Sequence, residues 1–396
     1  MSRKKKNCLL ISQHFFPEEF VINDLVRKMT NYNFSIITNY PSYPNLIHFK
    51  NFYKNFFNRK KFKNSTIYRV MTFPRFFNNF FDISINYLFF IIFGIIKLFF
   101  ISKKKVDFIF VFATSPLYQA LIGIVAKKIF KKKLIIWVQD LWPESLFYTG
   151  YIKNKVILEF FKSLSLYIYK SSDLLVAQSK ELKDKIMKQT KTQVIYLPNP
   201  SRSFFSKKKI QKNISIGYAG NFGKVQNLEK IIHIAEIIRK KEIKNLNFYL
   251  IGDGSEKKKL LEILKKKKIS NVFIKKRISI NKIASFYKKM DILLINSNLK
   301  GSEAVIIPSK LQAYLSTSKP IISFCGGSVK NIINISKAGI NLSNLDIDKA
   351  AIKIINLTKN KNKMIKFGIN GKNFFKKNYE LNIVVNKLNN ILSQCL

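Results

Sequence analysis

The residues best suited to chemistry are glycines and charged side chains placed where apolar runs end. Gly217-Tyr218-Ala219-Gly220-Asn221 closes one such run and Leu250-Ile251-Gly252-Asp253-Gly254 a second. A third, Asp291-Ile292-Leu293-Leu294-Ile295, leads to Pro308-Ser309-Lys310 and then to Lys319-Pro320-Ile321-Ile322. A glycine at the carboxyl end of a strand lets a ligand phosphate approach the backbone. Such a series builds a nucleotide site. A metal centre is not indicated. The three histidines, His14, His48 and His233, and the three cysteines, Cys8, Cys325 and Cys395, have no ligand spacing. The same cysteine count argues against a disulfide framework and fits a reducing cytoplasm.

The elements that must position these residues follow from the apolar pattern. In the first half it predicts strands near Cys8–Ser12, Phe34–Thr38, Val106–Phe112, Leu134–Val138, Leu174–Ala177 and Val194–Leu197. Helices are expected between them, near Ile22–Thr30, Asn86–Ser102, Leu117–Phe130, Lys155–Lys170 and Lys180–Lys188. Pro198-Asn199-Pro200 ends this half and a polar linker follows. The second half opens at Ile214 and alternates strands with helices near Asn227–Lys240, Ser255–Lys267, Asn281–Lys289, Ser309–Thr317 and Asp348–Asn360. Alternating strands and helices make a parallel α/β sheet, and 396 residues suffice for two such cores. The expected domains are 1–205, Rossmann-like and on the acceptor side, and 206–380, Rossmann-like and nucleotide-binding. A C-terminal helix at 381–396 closes the chain. Two doubly wound domains facing each other leave a cleft between their strand ends.

Charge and hydropathy concern partners. The formal net charge is +49, which attracts polyanions, anionic lipid and sugar nucleotides alike. Lysine dominates over arginine, and Asn, Ile, Phe and Tyr are abundant; these residues share A/T-rich codons. No organised pattern of arginine with interleaved aromatics suggests a nucleic-acid reader. The stretch Ile83–Ile101 approaches the length of a membrane span, but Asn86 and Lys97 interrupt it and a strand follows directly. It is expected to be an apolar helix, partly packed on the sheet and partly touching lipid, with Phe89, Phe90 and Phe93 divided between lipid and core. Lys97 and Lys103-Lys104-Lys105 would hold it at an anionic surface.

Several runs carry a resemblance. They are Ser12-Gln13-His14-Phe15-Phe16-Pro17-Glu18, Ile22-Asn23-Asp24-Leu25, Tyr40-Pro41-Ser42-Tyr43-Pro44 and Val138-Gln139-Asp140-Leu141-Trp142-Pro143-Glu144-Ser145. In the second half they are Gly220-Asn221-Phe222-Gly223-Lys224-Val225-Gln226-Asn227-Leu228, Gly252-Asp253-Gly254 and Pro308-Ser309-Lys310-Leu311. In this order they resemble GT-B fold glycosyltransferases of the retaining family four. More narrowly, they resemble bacterial fucosyl- and N-acetylfucosaminyl-transferases that build O-antigen, capsule and exopolysaccharide. The resemblance implies two Rossmann-like domains around a central cleft. It implies transfer from a nucleotide sugar, UDP- or GDP-linked, to a lipid-linked glycan acceptor at the inner face of the plasma membrane. The protein would be cytoplasmic and peripheral there. No cofactor, no metal and no nucleic acid is expected.

Roles then follow residue by residue. The leaving diphosphate needs fixed donors and cations, for which Lys224 and Lys310 are candidates. Gly220, Asn221, Gly252, Asp253, Gly254, Ser309 and Gln312 complete the expected donor side. The family's arginine and lysine after the first strand of this domain are replaced by Asn221 and Gln226, with Lys224 between. Its two glutamates fall at Ala304 and Gln312, so Glu303 is the candidate substitute. Asp140 and Glu144 are the acidic candidates near the sugar, although Asp140 could equally cap a turn ahead of Pro143. Trp142 is expected to pack. His14 and Glu18 lie on the acceptor side, where His14 could also be a satisfied, half-buried histidine. Two other readings stay open: a nucleotide-sugar epimerase of similar shape, and a non-catalytic assembly protein derived from a transferase.

Overall fold

The computed structural model describes residues 5–41, 61–73, 80–148, 154–205, 212–299 and 303–394. Ser42-Tyr43-Pro44 and linker positions 206–211 lie outside the described residues. The chain divides into two compact units, Met1–Asn199 with Val384–Leu396, and Pro200–Ile383.

The first unit is built on an eight-stranded sheet. Its elements run β1 (Lys6–Ile11), α1 (Val21–Lys28), β2 (Tyr32–Asn39), β3 (Lys61–Phe62), β4 (Ser65–Val70) and α2 (Phe80–Leu98). They continue as β5 (Phe108–Ala113), α3 (Ala120–Phe130), β6 (Leu134–Val138), α4 (Glu144–Tyr148), α5 (Lys155–Ser171), β7 (Leu174–Ala177), α6 (Lys180–Met187) and β8 (Val194–Tyr196). The order is β3-β4-β2-β1-β5-β6-β7-β8. Only the β3–β4 pair is antiparallel. Central strands of a parallel sheet are covered on both faces and need unbroken apolar runs. Phe108–Ala113 and Leu134–Val138 are such runs, buried at every position. The strand order reverses between β1 and β5, which makes their carboxyl ends the switch point of this sheet.

The second unit repeats the scheme. It contains β9 (Ile214–Asn221), α7 (Leu228–Lys240), β10 (Leu246–Asp253), α8 (Lys257–Lys266), β11 (Val272–Lys275), α9 (Ile280–Lys289) and β12 (Ile292–Ile295). Then come α10 (Ser309–Ser316), β13 (Ile321–Ser323), α11 (Gly327–Ser336), β14 (Gly339–Asn341), α12 (Ile347–Lys359) and α13 (Lys361–Asn378). A last helix, α14 (Leu381–Ser393), returns the chain to the first unit. All six strands are parallel, in the order β11-β10-β9-β12-β13-β14. This is the doubly wound order, with its reversal between β9 and β12. One core cluster on the α7 and α12 side joins Ile216, Tyr218, Phe222, Ile232 and Phe248. Another joins Leu293, Leu311, Tyr314, Val329 and Phe375.

The pattern-based expectation missed β4, β11, β14, α11 and α13 and recovered the other long elements. The apolar stretch is α2, and among the described residues no helix is long and apolar enough to cross a membrane. Of the three phenylalanines, Phe90 belongs to the core: it is fully buried, because it lies on the inner stripe Asp82, Asn86, Phe90, Gly94 and Leu98.

Candidate functional site

The carboxyl end of β9 is held open by glycine. Gly220 has φ of +156°, and a Cβ there would lie 2.4 Å from Lys310 Nζ. Its partner in the β10 register, Gly252, sits so close that a Cβ would come within 1.9 Å of the Gly220 carbonyl oxygen. A side chain at either position would push backbone or ammonium aside.

Lys310 enters this space from the first turn of α10, just after Pro308 and the exposed Ser309. Its ammonium donates to the Tyr218 hydroxyl at 3.0 Å and lies 4.2 Å from the centre of that ring. Tyr218 in turn donates to the Asn221 carbonyl at 2.7 Å. No carboxylate among the described residues pairs with Lys310. Burial lowers its pKa to about 8, partly opposed by the neighbouring Cys325 thiol, which burial itself pushes up to about 12. A cation in this condition is poised for an anion. Sequence reasoning passed over Tyr218 and Cys325. Tyr218 lies inside the glycine-bearing run, where the glycines carry the signal; Cys325 gives none, since a lone thiol has no spacing to read.

Beyond Gly220, exposed Asn221 precedes buried Phe222 and a single 3-10 turn, Lys224–Gln226. The Gly223 N–H donates to Gln226 Oε1 at 3.1 Å, and Asn227 turns left-handed with φ of 41° before α7 begins. Asn296, after β12, donates to the Asn227 carbonyl at 2.7 Å and ties the two sides of the switch point together. Lys224 is exposed on this turn. Asp253 is exposed as well. It accepts from the Gly254 N–H and the Lys257 ammonium, each at 3.0 Å, and the Lys257 bond chiefly holds its carboxyl below the usual range. It therefore closes the β10–α8 turn, while Glu256 rather than Ser255 occupies the position before α8. Gln312 is fully buried on α10, so a ribose reaches it only if that packing opens. Glu303 is half-buried ahead of Ala304. Tyr314 supports the strand from beneath: its buried hydroxyl accepts from the Ala219 N–H at 3.1 Å.

In the first unit the expected residues line the carboxyl edge of β1, β5 and β6. His14 Nδ1 meets Glu18 Oε2 at 2.6 Å, both side chains are buried, and the imidazole stacks on Phe20 with ring centres 4.8 Å apart. Gln119 links the neighbouring strand ends, accepting from the Gln13 N–H at 2.9 Å and donating to the Thr114 carbonyl at 2.9 Å. Asp140 follows β6. One carboxylate oxygen accepts from the Leu141 N–H at 2.9 Å, so the turn-capping role is present. Burial nevertheless raises its pKa to about 6, against hydrogen bonds from Ser145, Leu141 and Ser115 and with a small push from the Glu144 charge. A carboxyl of this kind changes protonation near neutral pH, as an acid–base group must. Glu144 opens α4 and has one buried oxygen without a hydrogen-bond partner among the described residues. Trp142 packs as expected, edge-on to Tyr118 at 4.6 Å, with its indole N–H on Ser115.

Comparison with known proteins agrees with this architecture. Residues 201–374 match the family model "Glycosyl transferases group 1". An uncharacterized glycosyltransferase of Methanocaldococcus jannaschii is 25% identical over 211 residues, 53% of this chain and 57% of that relative. The match thus spans little more than half of the relative's length. A second uncharacterized glycosyltransferase of the same organism is 24% identical over 297 residues, 71% of this chain and 74% of its own. Among solved structures, Anabaena HepE in complex with UDP superposes with a TM-score of 0.72 at 11% identity, covering 98% of this chain and 100% of that one. The fold is GT-B, and residues 201–374 are similar to the group 1 glycosyl transferases.

Proposed function

We propose that the protein is a retaining, metal-independent glycosyltransferase of family four. It moves a hexosyl or N-acetylhexosaminyl group, of the fucosyl type in the narrower resemblance, from a nucleoside-diphosphate sugar. The acceptor is a lipid-linked glycan of a cell-surface polysaccharide such as O-antigen or capsule. The observation that carries the donor half is Lys310: a half-buried ammonium with no carboxylate partner among the described residues, set against a glycine at the β9 switch point. A diphosphate supplies the missing anion. HepE was solved with UDP, which favours a uridine donor here.

In the reaction, the bond between the anomeric carbon and the β-phosphate oxygen breaks. An acceptor hydroxyl forms its bond on the same face, and its proton passes to the leaving phosphate. The nucleoside diphosphate is released. Lys310, with Lys224 on the neighbouring turn, offsets the charge that grows on the leaving group. Asp140 and Glu144 hold the transferred sugar or its acceptor by hydrogen bonds, and Glu303 binds sugar or ribose hydroxyls. His14 and Glu18 shape the acceptor side.

The experiment is a panel of UDP-, GDP- and dTDP-sugars, read first by thermal shift and then by turnover on polyprenyl-diphosphate-linked acceptors. A bound donor that is turned over in the presence of EDTA supports the reading. Interconversion of the donor without acceptor would make the protein an epimerase. Binding without any turnover would make it an assembly factor.

A further inference from the structure

We propose that α2 and α5 together form one docking surface for an anionic lipid bilayer. The inference rests on the reading of the acceptor as lipid-linked, yet vesicle binding is read without catalysis, so the two can fail separately.

The exposed positions described on α2 are Leu88, Phe89, Ile92 and Ile96, and every one is apolar. The face continues beyond the helix into Phe99 and Phe100, each 72% exposed. A water-facing helix ordinarily carries charge on its outer side. Here the polar residues Asp82 and Asn86 lie on the buried side instead. The helix is held flush against α3: a Cβ on Gly94 would come within 2.4 Å of Ile122 Cδ1. α3 also packs against α5. That helix exposes Val156 (78%) and Phe160 (65%) one turn apart, with Tyr167 further along. Two helices with exposed apolar residues thus rest on one shared support.

Charge decides the occupant. The basic run Lys103-Lys104-Lys105 is exposed at the end of α2, and Lys97 lies 5.4 Å from the centre of the Phe100 ring. Lys155 and Lys170 are exposed on α5, where Glu159 is neutralised by Lys162 at 2.6 Å. Apolar side chains framed by lysines suit acyl chains beneath anionic headgroups, with lysine stems lying along the apolar surface. A second copy of the chain would bring like charges together, in a protein whose formal net charge is +49.

The test is flotation of the full chain with vesicles of phosphatidylcholine alone or with phosphatidylglycerol added, at low and high salt. Partition onto the anionic vesicles is expected, with partial release by salt. The double variants F99S/F100S and V156S/F160S should each weaken partition about tenfold, and their combination more, because either face contributes buried apolar area. Unfolding midpoints should hold, since these side chains already meet water. Unchanged partition in the combined variant would overturn the proposal. So would a concentration-dependent dimer that the same substitutions dissolve, because the face would then serve a second copy.

Discussion

Lys310→Met asks whether the ammonium beside Gly220 serves the fold or a ligand. Its pKa falls from 10.5 to about 8, mainly through burial. Each tenfold loss of proton affinity is worth about 1.4 kcal/mol, so keeping the ammonium charged costs the fold roughly 3 kcal/mol, or about 1–3 after discounting for solvent at this part-exposed side chain. Below pH 8 both folded and unfolded chains hold the proton, and the full cost is present. Between about 8 and 10.5 the folded chain releases it first, the unfolded chain binds more protons, and stability rises with pH. Tyr218 and Cys325 face the same ammonium, and burial pushes the ionisation of both upward, Cys325 to about 12. Neither charges early in that window. The variant should therefore be more stable than the parent at pH 7, by about 1–3 kcal/mol, with the gain fading toward pH 10.5. Its affinity for UDP should drop about 30- to 150-fold, the loss of one charge-assisted contact. Urea unfolding at several pH values, compared as parent minus variant, gives the first quantity, and calorimetric titration of UDP the second. A variant that is less stable at pH 7, or that binds UDP within about twofold of the parent, refutes the reasoning.

Asp140→Asn is expected to behave in a related way. Its carboxyl, raised to about 6, lets the folded chain hold a proton that the unfolded chain has lost, so stability falls as pH rises from about 4 to 6. The variant should gain on the parent by about 1–3 kcal/mol at pH 7 and not below pH 4, while turnover drops and any inflection near pH 6 in the parent's rate profile disappears. Glu18→Ala removes one member of a buried pair and should cost about 3 kcal/mol in urea unfolding; a cost below about 1 would show that the pair is not structural. Tyr314→Phe strips the acceptor from the Ala219 N–H and should cost about 1–3 kcal/mol, with weaker UDP binding because β9 carries Gly220. Unchanged UDP affinity would separate that support from the site.

What the sequence made legible was the part written in apolar runs. β5, β6 and β12 are uniformly apolar, because strands covered on both faces must be, and β9 and β10 are apolar runs closed by glycines. β4, Ser-Thr-Ile-Tyr-Arg-Val, is mixed and beside the sheet edge, and β11 follows a lysine run; neither signals a buried strand. α13 was hidden by its own glycines. Gly368 argues against a helix, yet a Cβ there would lie 2.1 Å from the Ser318 carbonyl oxygen, so it is a packing glycine. In the site, glycine strand ends and Lys310 could be found by position. Buried partners could not: the Tyr218 hydroxyl under Lys310, Tyr314 under Ala219 and the serines around Asp140 are brought in by tertiary contact, from positions whose local pattern says only that they are buried or turn residues. The buried state of Gln312 also lay beyond the pattern, since a glutamine on a helix reads as surface.

The approach of Gly252 to the Gly220 carbonyl limits how this chain can change over generations. With 14 glycines in 396 residues, the composition is rich in lysine, asparagine, isoleucine and phenylalanine. At position 252 any replacement puts carbon inside a neighbouring carbonyl's radius, whatever residue stands at 220. Substitution is freest at exposed lysines outside the donor site and the docking surface, and it halts where two strands meet backbone to backbone.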